Sequence, residues 1–215
     1  MTKKKILNEV IGRIKKQLVN ERKTDELSLQ ISRIIIDAFK SKEDLEINNI
    51  YFEKGDEYAS FDLICKFIED DNFDEPFSVN ASADFQEMEI EVTFNPKEFP
   101  KSMNDLVAEI KETVEHELEH IEQNNFEYEH IEDEHREEDL NLKYLTSKVE
   151  IPAYVRGLIK RAKTKKIKLE DAMDEWAIEN KKKFTNFKKD WPKVKNIWMN
   201  FAIKMRKNQK VKKFS

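Results

Sequence analysis

The chain of 215 residues holds only three glycines, Gly12, Gly55 and Gly157, and they stand far apart. Wrapping a phosphate takes clustered glycines, so Walker and Rossmann loops are excluded. Cys65 is the single cysteine, which rules out an intramolecular disulfide and any zinc site built on paired thiolates, and makes a reducing compartment the default. It sits in line with Phe61, Leu63 and Phe67 at period two, which reads as a buried strand position rather than a nucleophile. No uncharged apolar run approaches the roughly 20 residues that span a bilayer. The basic start, Met1 to Lys5, resembles a signal peptide, but Asn8, Glu9, Arg13 and Lys15 interrupt what would be its apolar stretch. The expectation is a soluble, cytoplasmic protein with no membrane contact.

What the chain has instead is charge and bulk. Charged residues make up 39%, yet the apolar set makes up another 39% with 14 Phe and 3 Trp, enough to leave the disordered class and bury a core. The charge is uneven: residues 1–155 carry 19 Lys and Arg against 38 Asp and Glu, a net −19, whereas residues 156–215 carry 20 against 6, a net +14. The basic end suits nucleic acid or an acidic partner; equally, it suits solvated helix faces packed on the chain's own acidic half. Trp176, Trp191 and Trp198 could stack bases, but at helical spacing tryptophans are more commonly core residues.

Periodicity orders the elements. Ile6, Leu7, Val10, Ile11, Ile14 and Leu18 recur at helical spacing over 3–20, and Leu27, Ile31, Ile34, Ile35, Ala38 and Phe39 repeat the pattern. From Leu45 the period becomes two, predicting strands over Glu46–Glu53, Tyr58–Ile68 and Phe77–Phe94, with turns at Gly55-Asp56 and Asp70 to Asn72. Ser102 to Asp105 reads as a capping box opening a helix to about Gln123. An acidic stretch runs to about Asp139, and helices are predicted near 148–163, 169–184 and after Asp190-Trp191-Pro192, where proline suits a first turn. Helices, a small antiparallel or mixed sheet, a long helix and a helical C-terminal part form an α+β pattern.

The long helix contains His116-Glu117-Leu118-Glu119-His120, a His-Glu-x-x-His arrangement. With 4 His and 29 Glu in the chain, chance would place it roughly 0.01 times, so it stands above background. Two histidines at i and i+4 lie one turn apart on one face, so both imidazoles can reach one metal ion. Glu117, one residue on, points beside that ion and can take a proton from its water. On a helical wheel Met103, Val107, Ile110, Val114, Leu118 and Ile121 make the core stripe, the histidines border it, and Glu112, Glu115, Glu119 and Glu122 occupy the opposite flank. Two solvated surface histidines in a Glu-rich run are the alternative.

From Glu89 to about Ala153 the chain resembles the zincin metallopeptidases of the glutamate-ligand type. The metzincin subgroup is excluded, because its pattern needs Gly at 123 and His at 126, where this chain has Gln123 and Phe126. Tyr144-Leu145, four residues, then Glu150-Ile151-Pro152-Ala153 also looks like a pattern of small phage or bacterial metallopeptidases. The resemblance implies a zincin-like catalytic domain, placed over 1–155, and the change of charge sets 156–215 apart as a basic helical extension packed on the same domain. It implies zinc as cofactor, a peptide or protein substrate, Glu117 as catalytic base, and Glu89–Phe94 as the edge strand along which substrate lies. A phage origin would place the protein in the virion or the host cytoplasm. The larger glutamate zincins follow their ligand glutamate with an aspartate, where this chain has Tyr154.

The third metal ligand has three candidates, Glu150, His130 and His135. Ser147 to Glu150 is itself a capping-box sequence, so Glu150 could serve only its helix. The two histidines sit in Glu129–Asp139, a charged stretch without apolar anchors. Glu150 begins an amphipathic helix with Ile151, Val155, Leu158 and Ile159 to dock it, and rigid placement favours it, as does the resemblance. Tyr144, Tyr154 and Arg156 are candidates for a proton donor or oxyanion partner. The competing function is a non-catalytic interaction protein that grips nucleic acid or an acidic partner through residues 156–215, although no nucleic-acid motif is present.

Overall fold

A computed structural model describes residues 24–212 apart from 55, 100, 101, 128–140 and 185. The helix expected over 3–20, and both His130 and His135, lie outside the described residues. The chain forms two compact units, 1–130 and 131–215, and the boundary expected at 155 from charge falls inside a helix of the second.

The described part of the first unit runs α1 (Thr24–Ser41), β1 (Leu45–Lys54), β2 (Glu57–Glu69), β3 (Phe77–Ala83), β4 (Glu87–Phe94), α2 (Met103–Glu122) and a π-helical turn (Gln123–Glu127). The sheet is mixed, in the order β1-β2-β4-β3, with β2 and β4 parallel and the outer pairs antiparallel. Side chains alternate across a strand, so Phe61, Leu63 and Cys65 of β2 and Met88, Ile90, Val92 and Phe94 of β4 share one buried face. Leu27, Ile31, Ile34, Ile35, Ala38 and Phe39 from α1 belong to the same core, as do Leu106, Ile110, Val114, Leu118 and Ile121 from α2. Each fully buried aliphatic side chain contributes roughly 1.5–3 kcal/mol, and this packing fixes α2 on the sheet. Phe39 locks one end, its ring within 5.4 Å of Phe67, 5.0 Å of Phe94 and 4.7 Å of Phe99.

Three expectations change here. The single strand foreseen over Phe77–Phe94 is two, because Asp84 Oδ1 accepts from the backbone N–H groups of Gln86 at 2.7 Å and Glu87 at 2.8 Å and turns the chain back on itself. That hairpin inserts β4 between β2 and β3, so Glu89–Phe94 is paired on both sides and is no edge; β3 and β1 are the outer strands. Ser102 precedes α2 but its side chain makes no capping hydrogen bond; only its carbonyl joins the helix, accepting from Leu106 at 2.9 Å.

β1 also carries an irregularity. Ile47 and Ile50 are three apart and would face opposite sides, yet both are buried, because a bulge with Asn49 at φ 59° restores the parity. The Asn49 amide donates to Asp62 Oδ1 at 2.7 Å and holds that left-handed residue.

The second unit is helical: α3 (Leu142–Leu145), α4 (Glu150–Lys165), α5 (Leu169–Glu179), a 3-10 turn (Lys181–Lys183) and α6 (Phe187–Lys212). All three tryptophans are buried. Tyr154 stacks on Trp198 at 4.9 Å and 16°, Trp176 lies 5.2 Å from Trp198, and Trp191 closes on both. The indole N–H groups find acceptors, Trp198 on the Leu145 carbonyl at 2.8 Å and Trp191 on Asp174 at 3.2 Å, which removes the cost of burying them. The last helix begins at Phe187, so Pro192 is inside it rather than opening it, and one intrahelical hydrogen bond is lost there. Among the described residues the architecture is α+β, with six α-helices and a four-stranded mixed sheet.

Candidate metal centre

α2 is where the chemistry concentrates. Leu118 and Ile121 anchor its inner face, and this docking sets the rotation at which His116 and His120 emerge, both half-buried. Their Nε2 atoms are 3.0 Å apart and their ring centroids 4.7 Å apart. Tetrahedral zinc with Zn–N near 2.0–2.1 Å sets its ligand atoms roughly 3.3 Å apart, so the two nitrogens already stand close to the separation that a shared ion requires.

The carboxylate flank is not a solvent face. Glu112, Glu115, Glu119 and Glu122 are all buried, and each has an interaction partner. The wheel gives direction and not coverage, and carboxylates accept burial only when partnered. Glu117, between the histidines, is also buried, at 8% exposure.

One contributor escaped the sequence reading. Gln123 heads the π-helical turn and is 1% exposed. Its Oε1 lies 3.3 Å from His120 Nδ1, and its Nε2 donates to Glu119 Oε1 at 3.4 Å. Held this way, the Gln123 amide presents its oxygen to His120, which assigns the proton to Nδ1 and leaves Nε2 with its lone pair directed at His116 and any ion between them. The signal was the i+3 spacing from His120. The turn itself is stitched down, since Asn125 Nδ2 donates to the carbonyls of Ile121 at 2.9 Å and Phe85 at 3.1 Å, while the Phe126 ring packs at 5.2 Å on Phe52. Such π-turns inside or after helices recur at functional sites.

Glu150 is the first residue of α4 and is buried at 9% exposure; its backbone N–H donates to Ser147 Oγ at 3.1 Å, half of the expected capping box. One of its carboxylate oxygens and one ring nitrogen from each of His116 and His120 lie within 4.8 Å of one another, so these three residues form a group that could hold a metal ion. Two imidazoles and a carboxylate suit a borderline divalent ion such as zinc. Tyr154 is committed to the aromatic core through its ring, Tyr144 meets it edge-on at 6.4 Å, and Arg156 is half-buried on α4. Cys65 is no rival ligand: burial, then the Asp44 charge, pushes its thiol up to about 12, so thiolate is absent at neutral pH. Among the described residues no helix is long and apolar enough to cross a membrane.

Comparisons of the chain with protein-family models, curated proteins and solved structures find no match.

Proposed function

We propose that the chain is a zinc-dependent metallopeptidase of zincin type, with His116, His120 and Glu150 as ligands and Glu117 as the catalytic base. The observation that carries this reading is the placement of two imidazoles and a carboxylate within 4.8 Å of one another, with a buried glutamate between the two histidines on the same helix. Bound zinc would supply Lewis acidity and lower the pKa of its water towards about 7. His120 enters that set with its tautomer fixed by Gln123, and His116 meets it one turn earlier on α2. Glu117 would be the group that takes a proton from the attacking water on its carboxylate and passes it to the leaving amine. Peptide or protein is the substrate class; a free strand edge such as β3 would be the place for an extended chain to add.

The test is Glu117→Gln. The amide is nearly isosteric and cannot take a proton at neutral pH, so the variant should keep its metal and its unfolding temperature while hydrolysis of an unfolded protein substrate disappears. Wild-type turnover in a metal-loaded Glu117→Gln preparation would end the proposal.

A further inference from the structure

The second unit holds a cavity of about 480 Å³ with an unusual lining. Its apolar lining includes Ile159 of α4 and Met199 and Ile203 of α6, with Ile203 at the mouth, while Lys163, Lys166 and Arg206 also line it. The shape follows from the local backbone. α4 ends where Lys166 adopts φ 58°, so the chain turns away before filling the angle between α4 and α6. On α6 the stripe Trp191, Val194, Trp198 and Ala202 enters the aromatic core, and Met199 and Ile203 fall one position outside it. Ile203 stays 45% exposed beside Arg206, which leaves apolar surface uncovered at a cationic mouth.

The positive charge there is not neutralised locally. Four of the five acids of α5 are paired elsewhere: Asp174 and Glu170 on Lys195 at 2.7 and 3.3 Å, Glu175 on Lys165 at 2.7 Å, and Glu179 on Arg161. Glu170 also lines the cavity and is held by Lys195. Among the described residues no carboxylate pairs with Lys163, Lys166 or Arg206. A volume in the range of small-molecule sites, an apolar lining and three cations that pair with no carboxylate among the described residues define the chemistry of an occupant.

We propose that this cavity binds a single-chain amphiphilic anion, its aliphatic body on Ile159, Met199 and Ile203 and its head group at Lys163, Lys166 and Arg206. The site is independent of the metal centre. Apolar contact supplies affinity along the chain, and the cations select a carboxylate or phosphate end over a neutral one.

Isothermal titration of the full chain with decanoate below its micellar concentration tests this, with octanoate, decanol and phosphatidylglycerol vesicles as comparison ligands. Decanoate should bind saturably at one per chain, and each methylene removed should weaken binding about fourfold. Decanol should bind at least about tenfold more weakly, and Lys163→Glu with Arg206→Glu should impose a similar loss on decanoate. Ile203→Trp, which fills the mouth from a partly exposed position, should abolish binding; neither variant should lower the unfolding temperature. Equal affinity for decanol, decanoate binding that survives Ile203→Trp in a folded protein, or no saturable binding would each overturn the proposal. So would binding confined to the vesicles, which would assign the basic face to a membrane surface instead.

Discussion

Replacing Gln123 by Leu separates a residue that orients a metal ligand from one that only fills space. Leu has nearly the volume of Gln, and the position is 1% exposed, so packing is preserved while both polar contacts vanish. Those contacts are long, 3.3 Å to His120 and 3.4 Å to Glu119, so each contributes at the low end of the usual range, about 0.5 kcal/mol. Because the buried Glu119 oxygen also loses a donor, the loss of fold stability should lie at about 1–3 kcal/mol. Metal affinity should suffer more, because His120 loses the acceptor that fixes its tautomer and ring orientation. Losses for such outer partners run about 10- to 100-fold, and the 3.3 Å separation argues for the lower part, about tenfold. Competition of the purified variant against a chromophoric zinc chelator measures the affinity, and denaturant unfolding of the metal-free chain measures the stability. Zinc affinity within threefold of wild type, accompanied by a fall in stability, would show that Gln123 is structural and would refute the tautomer argument.

Two further outcomes are expected. Glu150→Ala should weaken zinc binding by at least about 100-fold, whereas His130→Ala and His135→Ala should leave it unchanged, as equilibrium dialysis would show; retention in the first with loss in either of the others would transfer the ligand role. Cys65 should make the fold alkali-sensitive. The unfolded chain releases the thiol proton above about 9.0 while the native chain holds it to about 12, so stability is intact below the first value and falls as pH rises between the two. At pH 10.5 that loss is about 2 kcal/mol. Cys65→Ala should remove this part of the slope in denaturant titrations at pH 8 and 10.5; identical slopes would contradict it.

Much of the molecule was legible because its elements obey simple periods. β2 and β4 alternate cleanly, α1 repeats at helical spacing, and the core residues named from those patterns are the buried ones. Departures came where a single side chain overrides a period. Asp84 cuts one apolar alternation into two strands, and Asn49 hides a bulge inside another. The parallel pairing of β2 with β4 is a long-range choice, set by how the hairpin folds back, and no local pattern carries it. At the candidate site His116, Glu117 and His120 were visible as a motif, since their relation is intrahelical. Gln123 was not, because its role depends on the π-turn bringing its amide under His120, and the coverage of the glutamate flank depends on tertiary packing that a wheel cannot express.

The central claim is that His116 and His120 share a bound metal ion. Elemental analysis of the full chain, purified without added metal and compared with His116→Ala and His120→Ala, tests it most directly. One zinc per wild-type chain, lost in both variants while their circular dichroism is unchanged, is the predicted result. A folded wild-type chain that takes up no zinc at micromolar concentration, or stoichiometric metal that persists in both variants, would contradict it.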